Sequence, residues 1–312
     1  MGNLKQYLID EFIEDYVERK ITRREALRLL VGLTGSLFAA TNILAACTPQ
    51  PDTAPQVPLP SASPSPAAPS LAGDPKVGED DPSIRAERVE FEGRDATLIG
   101  YVARPARDGT FSGVLVCHEN RGLTDHIKDV TRRLAKAGYA GLAVDLLSRE
   151  GGTDKVSDTR QIPGILGNQP EEQFVNDFQS GWSYLRSSSY IDKNGIGMVG
   201  FCFGGGVTWL VAAQTPEMRA AVPFYGTTPP IEEAPKINAA VLGIYAERDQ
   251  RINSGIPGIE EAMKQHGKTF EKIIYPNAGH AFHNDTGGSY SPEAARDAWS
   301  KTIAWFDRYL KA

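Results

Sequence analysis

The stretch Ile196-Gly197-Met198-Val199-Gly200-Phe201-Cys202-Phe203-Gly204-Gly205-Gly206 decides how this chain reads. Its first four residues form a short apolar strand and Gly204 to Ala213 reads as a helix, so Cys202 stands at a strand-to-helix turn. The glycines at 200, 204, 205 and 206 remove the Cβ atoms that would keep strand and helix apart. A cysteine between glycines is by itself most often a buried packing residue. At this turn, however, it is pushed out at the sheet edge and sits at a helix N-terminus, where the dipole and free N–H groups favour thiolate. Cys202 is therefore the candidate nucleophile.

Working outward, Gly113 to Cys117, Tyr139 to Val144, Ala220 to Phe224, Ala240 to Tyr245 and Phe270 to Tyr275 are further strand candidates, most of them continuous apolar runs. Val130 to Ala137, Phe174 to Leu185, Glu260 to His266 and Ala294 to Leu310 read as helices between or after them. Arg85 to Ala103, split by Gly93-Arg94-Asp95, reads as an antiparallel hairpin. Buried strands alternating with helices predict an α/β fold with a mostly parallel central sheet and helices on both faces. A site then belongs at the carboxyl ends of the strands. The strand ending at Cys117 is expected beside the one leading to Cys202, which raises the possibility of two neighbouring thiols; the simpler reading is that Cys117 is a small apolar residue in a buried strand.

A thiol nucleophile needs a base, and the base needs an orienting acid. Asp249 lies just past the strand Val241 to Tyr245, and His280 follows Ile273-Ile274-Tyr275, so both fall in loops at strand ends, in the order nucleophile, acid, base. That order and the glycine-flanked turn belong to the α/β-hydrolase fold. His283 is the rival base and Asp285 the rival acid. The oxyanion would be held by the N–H of Phe203 and by one from the loop after Cys117, Asn120 being the candidate.

Val116-Cys117-His118-Glu119-Asn120-Arg121-Gly122, the Gly138-Tyr139 to Asp145 strand, Gly200-Phe201-Cys202-Phe203-Gly204-Gly205 and Ala278-Gly279-His280-Ala281-Phe282 together resemble the dienelactone hydrolase family, from about residue 86 to the end. The resemblance implies a Cys-His-Asp triad and a glutamate, matching Glu119, that contacts and activates the thiol; a solvated or Arg121-paired carboxylate is the alternative. Family enzymes acting on dienelactone bind the substrate carboxylate with arginines, one of them four residues after the catalytic histidine. Asn284 stands at that position. Arg149 is the candidate for another family arginine, with a surface role as its alternative.

The first residues read as an address rather than as part of this fold. Arg23-Arg24 precede an uncharged run from Leu29 to Ala46 that ends in Leu44-Ala45-Ala46-Cys47. This resembles a twin-arginine export signal (residues 1–46) closing in a lipobox, with Cys47 as the acylated residue. The alternative is an uncleaved membrane-spanning helix of 18 residues. Leu4, Leu8, Phe12 and Val17 suggest an amphipathic helix to which the sequence assigns no role. Thr48 to Pro69 holds eight prolines in 22 residues, so residues 47–83 read as an extended linker to a catalytic domain at 84–312.

A formal net charge of −6 over 312 residues, with no cluster of Lys and Arg, excludes a nucleic-acid partner. Three scattered cysteines build no disulfide framework, and His118-Glu119 lacks the second histidine of a zinc helix, so neither a metal nor a cofactor is expected. The sequence thus predicts an exported hydrolase of small esters or lactones, held by a lipid anchor or signal helix at the outer face of the membrane, with the export machinery as its other partner. A silent ligand-binding lipoprotein, and a thioesterase or peptidase using the same triad, are the alternatives.

Overall fold

In the computed structural model, residues 4–46 and 76–311 are described. Residues 84–275 carry one eight-stranded sheet: β1 Ile84–Glu92, β2 Thr97–Pro105, β3 Phe111–Cys117, β4 Ala140–Asp145, β5 Ile191–Phe201, β6 Ala220–Phe224, β7 Ala240–Ala246 and β8 Phe270–Tyr275. Their order is β1-β2-β4-β3-β5-β6-β7-β8. β1 and β2 form the antiparallel hairpin, β2 joins β4 antiparallel, and every pair from β4 to β8 is parallel. β3, β4, β6 and β7 are buried along their whole length, as their uninterrupted apolar sequences require once helices cover both faces. β1, at the edge, is exposed at most positions.

Numbered in chain order, the helices are α1 Leu4–Val17, α2 Arg23–Thr34, α3 Leu37–Ala46, α4 Asp125–Lys136, α5 Ile162–Asn168, α6 Glu171–Ser187, α7 Phe203–Gln214, the single turn α8 Gln250–Asn253, α9 Ile256–Gln265 and α10 Pro292–Leu310. β3 pairs with β5 as expected, Cys117 standing opposite Gly200, and both Cys117 and Cys202 are free thiols.

The first 46 residues are where the structure departs most from the sequence reading. The run from Leu29 to Ala46 is divided: Gly35 takes the left-handed conformation at φ 68° and its N–H closes α2 on the carbonyl of Val31. Thr22 and Glu25 form a reciprocal cap at the other end of α2. Among the described residues no helix is long and apolar enough to cross a membrane, so the single spanning helix considered for this run does not form. The apolar faces of α1 and α2 instead pack on the catalytic domain. Leu4, Leu8, Phe12, Leu30 and Leu33 are buried, each contributing on the order of 2 kcal/mol of hydrophobic stabilisation. α2 crosses α5 backbone to backbone: a Cβ built on Gly164 would lie 3.1 Å from the carbonyl carbon of Gly32. Val17, the last residue of the stripe read from the sequence, is exposed.

Cys47 and the proline-rich stretch lie outside the described residues. The linker ends earlier than residue 83, because Val77 is already buried, its N–H donating to Asp129 at 2.8 Å and its carbonyl accepting from Arg132, both on α4.

A tight backbone contact in the sheet region joins α7 to the end of β6 and the β6–β7 connection. A Cβ on Gly205 would stand 2.5 Å from the carbonyl oxygen of Phe224 and 2.9 Å from Cα of Gly226, neither of which can give way. Gly205→Ala is therefore expected to destabilise the fold by about 1–3 kcal/mol in urea denaturation. Gly288→Ala, with open space around the added methyl, should stay within about 0.5 kcal/mol of wild type.

Candidate active site

Cys202 is the only residue between β5 and α7, and the turn there is sharp: its φ is 57° and its ψ −120°. A side-chain-bearing residue in that region is strained and must be held. Its N–H donates to the carbonyl of Phe224 at 3.0 Å. Gly200 allows the approach, since a Cβ there would lie 2.1 Å from the carbonyl oxygen of Gly204. The result is a thiol presented at the start of α7. Phe203, the first residue of that helix, has no acceptor for its N–H within the helix itself.

Asp249 follows β7 as the cap of α8, one oxygen accepting the N–H of Ile252. Its other oxygen is 2.5 Å from Nδ1 of His280, in the loop after β8. A ring nitrogen of His280 and the sulfur of Cys202 lie within 4.8 Å of each other. Sulfur, imidazole and carboxylate thus lie together at the ends of β5, β7 and β8.

The rivals are accounted for. His283 is a core histidine, its ring 5.1 Å from both Phe201 and Phe224; burial holds its pKa down, at about 3, so it stays neutral. Asp285 is committed to Arg133 at 2.7 Å and to His126 at 3.0 Å. His118 is buried, its Nδ1 donating to the carbonyl of Glu119 and its Nε2 accepting from Leu146 N–H, and it turns no edge toward the thiol.

Two expectations need correction. Arg149 does not reach the site: its guanidinium is taken by the fully buried Asp177, at 2.8 and 3.0 Å, and by Asp95. Glu119 is buried beside the site but does not touch the thiol. One of its oxygens accepts from Asn284 at 2.6 Å, so the amide standing where family enzymes have an arginine is spent on holding this carboxyl. Its other oxygen is buried without a partner among the described residues. Burial, only partly offset by Asn284 and His280, pushes the Glu119 pKa up to about 7.

The carboxyl that does face the thiol comes from α1, a segment to which the sequence reading gave no role. Glu11 Oε1 is 3.5 Å from Cys202 Sγ, and both its oxygens accept from the Asn120 amide at 3.2 Å. One turn earlier, Tyr7 Oη lies 3.2 Å from Sγ and 3.4 Å from His280 Nε2. One turn later, Glu14 pairs with Arg251 at 2.9 Å, whose guanidinium also covers the Tyr7 ring at 4.6 Å. Positions 7, 11 and 14 share one helix face, so the i, i+4, i+7 spacing was the available signal. The donor atoms of Glu11, Cys202 and His280 lie within 4.8 Å of one another, a set able to hold a zinc-like ion but only by tying up the thiol.

The electrostatics follow from this cover. Burial pushes the Cys202 thiol up, the Glu11 carboxylate pushes it further, and His280 pulls it back only in part. Burial opposes a charged His280, but the Cys202 and Asp249 charges override it and raise the imidazole.

Comparison with known proteins agrees with this architecture. The model of the dienelactone hydrolase family matches residues 98–310. The chain belongs to that family. A Methylorubrum extorquens protein named "Putative carboxymethylenebutenolidase" is 35% identical over 251 residues, covering 77% of this chain and 86% of its own. An Escherichia coli protein of the same name is 34% identical over 257 residues, covering 78% and 94%. The crystal structure of a "Putative Dienelactone Hydrolase" from Klebsiella pneumoniae superposes with a TM-score of 0.67 at 33% identity, covering 72% of this chain and 99% of that one. In this dienelactone hydrolase family member, then, α1 to α3 lie outside the part the family model matches.

Glu119 supplies a pH-dependent stability term. Its carboxyl binds a proton up to about pH 7 in the folded chain but only to about 4.5 when unfolded, so its burial penalty is absent below pH 4.5 and grows as pH rises through 7. Glu119→Gln should unfold like wild type at pH 4.5 and be more stable at pH 8, by on the order of 3 kcal/mol at most, in paired urea titrations.

Proposed function

We propose that this family hydrolase cleaves small esters or lactones through Cys202, with His280 as base and Asp249 as the group that orients it. The observation that carries the reading is the meeting of Cys202, His280 and Asp249 at the ends of three parallel strands, with a 2.5 Å carboxylate–imidazole contact and the sulfur within 4.8 Å of the imidazole. The relatives' names point to the same class of substrate. His280 takes the thiol proton as sulfur attacks the carbonyl carbon. The tetrahedral oxyanion faces the N–H of Phe203 and one from the Asn120 segment, and its collapse transfers the acyl group to sulfur while His280 protonates the leaving alkoxide. His280 then deprotonates water, which hydrolyses the thioester and restores the thiol. In a lactone the alkoxide and acyl group are one molecule, so a hydroxy acid departs. This route uses only the chain's own residues.

We further propose that residues 1–46 act as an export signal, Cys47 being acylated and the catalytic domain displayed at the outer face of the membrane. Arg23-Arg24, the uncharged run and Leu44-Ala45-Ala46-Cys47 support it. Inhibiting lipoprotein signal peptidase should make the full-length precursor accumulate; unchanged processing would rule it out.

The catalytic assignment is tested by steady-state kinetics on aryl esters, lactones, thioesters and peptides. Cys202→Ala should abolish turnover, and Asp249→Asn should lower kcat/KM by about 10²- to 10⁴-fold, because the imidazole loses its held orientation and its stabilising charge. Esters or lactones should be the best substrates. Faster cleavage of peptides, or turnover that survives Cys202→Ala, would refute the assignment.

A further inference from the structure

We infer that α1 is an autoinhibitory plug: it occupies the place a substrate carbonyl must take at Cys202, and the enzyme is active only when this helix has left. The inference rests on the proposed role of Cys202 and goes beyond it.

An acyl carbon poised for attack stands about 3–3.5 Å from the nucleophile, within reach of the base. The Tyr7 hydroxyl fills that volume, at 3.2 Å from Sγ and 3.4 Å from Nε2. It cannot share it with a substrate. Glu11 occupies the adjoining space against the sulfur and ties down the Asn120 amide, on the segment expected to meet the oxyanion. Cys202 is only 3% exposed beneath them.

The plug is built into the fold rather than laid over it. Leu4 rests on Gly206 of α7, where an added Cβ would come within 2.9 Å of it. Leu8 and Leu33 pack on Gly167 of α5, and the Leu4 N–H donates to Glu171 at 2.8 Å. Glu14 and Arg251 fasten the far end beside the acid of the triad. A catalytic contribution from Tyr7 would require it to stay beside the sulfur while substrate enters, and the distances leave no room for both.

The covalent link from α1–α3 to residues 76–311 runs through residues 47–75. A cut in that stretch leaves the plug held by noncovalent contacts alone. Cleavage ahead of Cys47, as proposed above, would make export and activation one event.

The test compares the full chain with Leu8→Asp/Phe12→Asp, which places charges on the buried face of α1, and with a chain carrying an inserted protease site between residues 50 and 70, cut after purification. Two rates are read: carbamidomethylation of Cys202 by iodoacetamide, followed by peptide mass mapping, and hydrolysis of 4-nitrophenyl acetate. Both should rise at least tenfold in the cut chain and in the double variant, and Tyr7→Ala should raise them in the intact chain. Unchanged Cys202 labelling after cutting and separation of the segment would overturn the plug, as would labelling and hydrolysis that both fall in Tyr7→Phe. Labelling that rises without turnover of any ester would leave the plug standing and overturn the hydrolase reading instead. The cut chain carries no substitution, so misfolding of the double variant does not decide the outcome.

Discussion

The turn at Cys202 is the constraint on which the rest depends. To present a side chain at the carboxyl end of β5 and at the same time start α7, the backbone must pass through a φ of 57°, and it must do so where two elements touch without side chains between them. Gly200 against Gly204, and Gly205 against Phe224 and Gly226, are the contacts that hold it. The parallel register does the rest. β7 and β8 end in line with β5, so the loops that follow them deliver Asp249 and His280 to the same edge. Strain at one residue is thus maintained by packing distributed over the sheet.

Desolvation is the second organising effect, and it acts on Cys202, Tyr7, Glu11, Glu119 and His280 alike. A buried thiol resists ionisation, and a carboxylate beside it resists ionisation further. In the closed arrangement Glu11 and burial both work against the thiolate that the reaction needs, while His280, tied to Asp249, is kept ready to receive a proton. Withdrawal of α1 would remove one of these charges and admit water to the site, so the same movement that opens space also lowers the energy of the thiolate. Glu119 remains behind, a buried carboxyl near neutrality that Asn284 holds in place.

Most of the sheet was legible because its strands are continuous apolar runs, which only a buried parallel sheet accommodates; the bounds of Ala220–Phe224 and Phe270–Tyr275 follow from the sequence alone. Cys202, Asp249 and His280 were legible through their order and their places after strands. What could not be read was partnership across long separations. Nothing near Arg149 in the sequence announces Asp177, and nothing near Glu119 announces that its partner is Asn284, 165 residues away. The N-terminal segment admits two readings for a physical reason: an apolar run with arginines ahead of it satisfies the requirements of an export signal and equally those of two short helices that pack on the domain after it. Gly35, able to close a helix in the left-handed conformation, was the local mark of the break. Tyr7, Glu11 and Glu14 were visible as one helix face, but their target was not.

The central claim is that sulfur of Cys202 forms the covalent intermediate. Rapid mixing of the chain, cut between residues 50 and 70 and separated from α1, with excess 4-nitrophenyl acetate, followed by acid quenching and peptide mass mapping, measures it directly. The account predicts an acetyl adduct of about 42 Da on the peptide bearing Cys202 and on no other cysteine, persisting longer in His280→Ala that has been acylated at high ester concentration than in wild type. Acetylation confined to Cys117 or to a serine, or ester hydrolysis at full rate with Cys202 never modified, would contradict it.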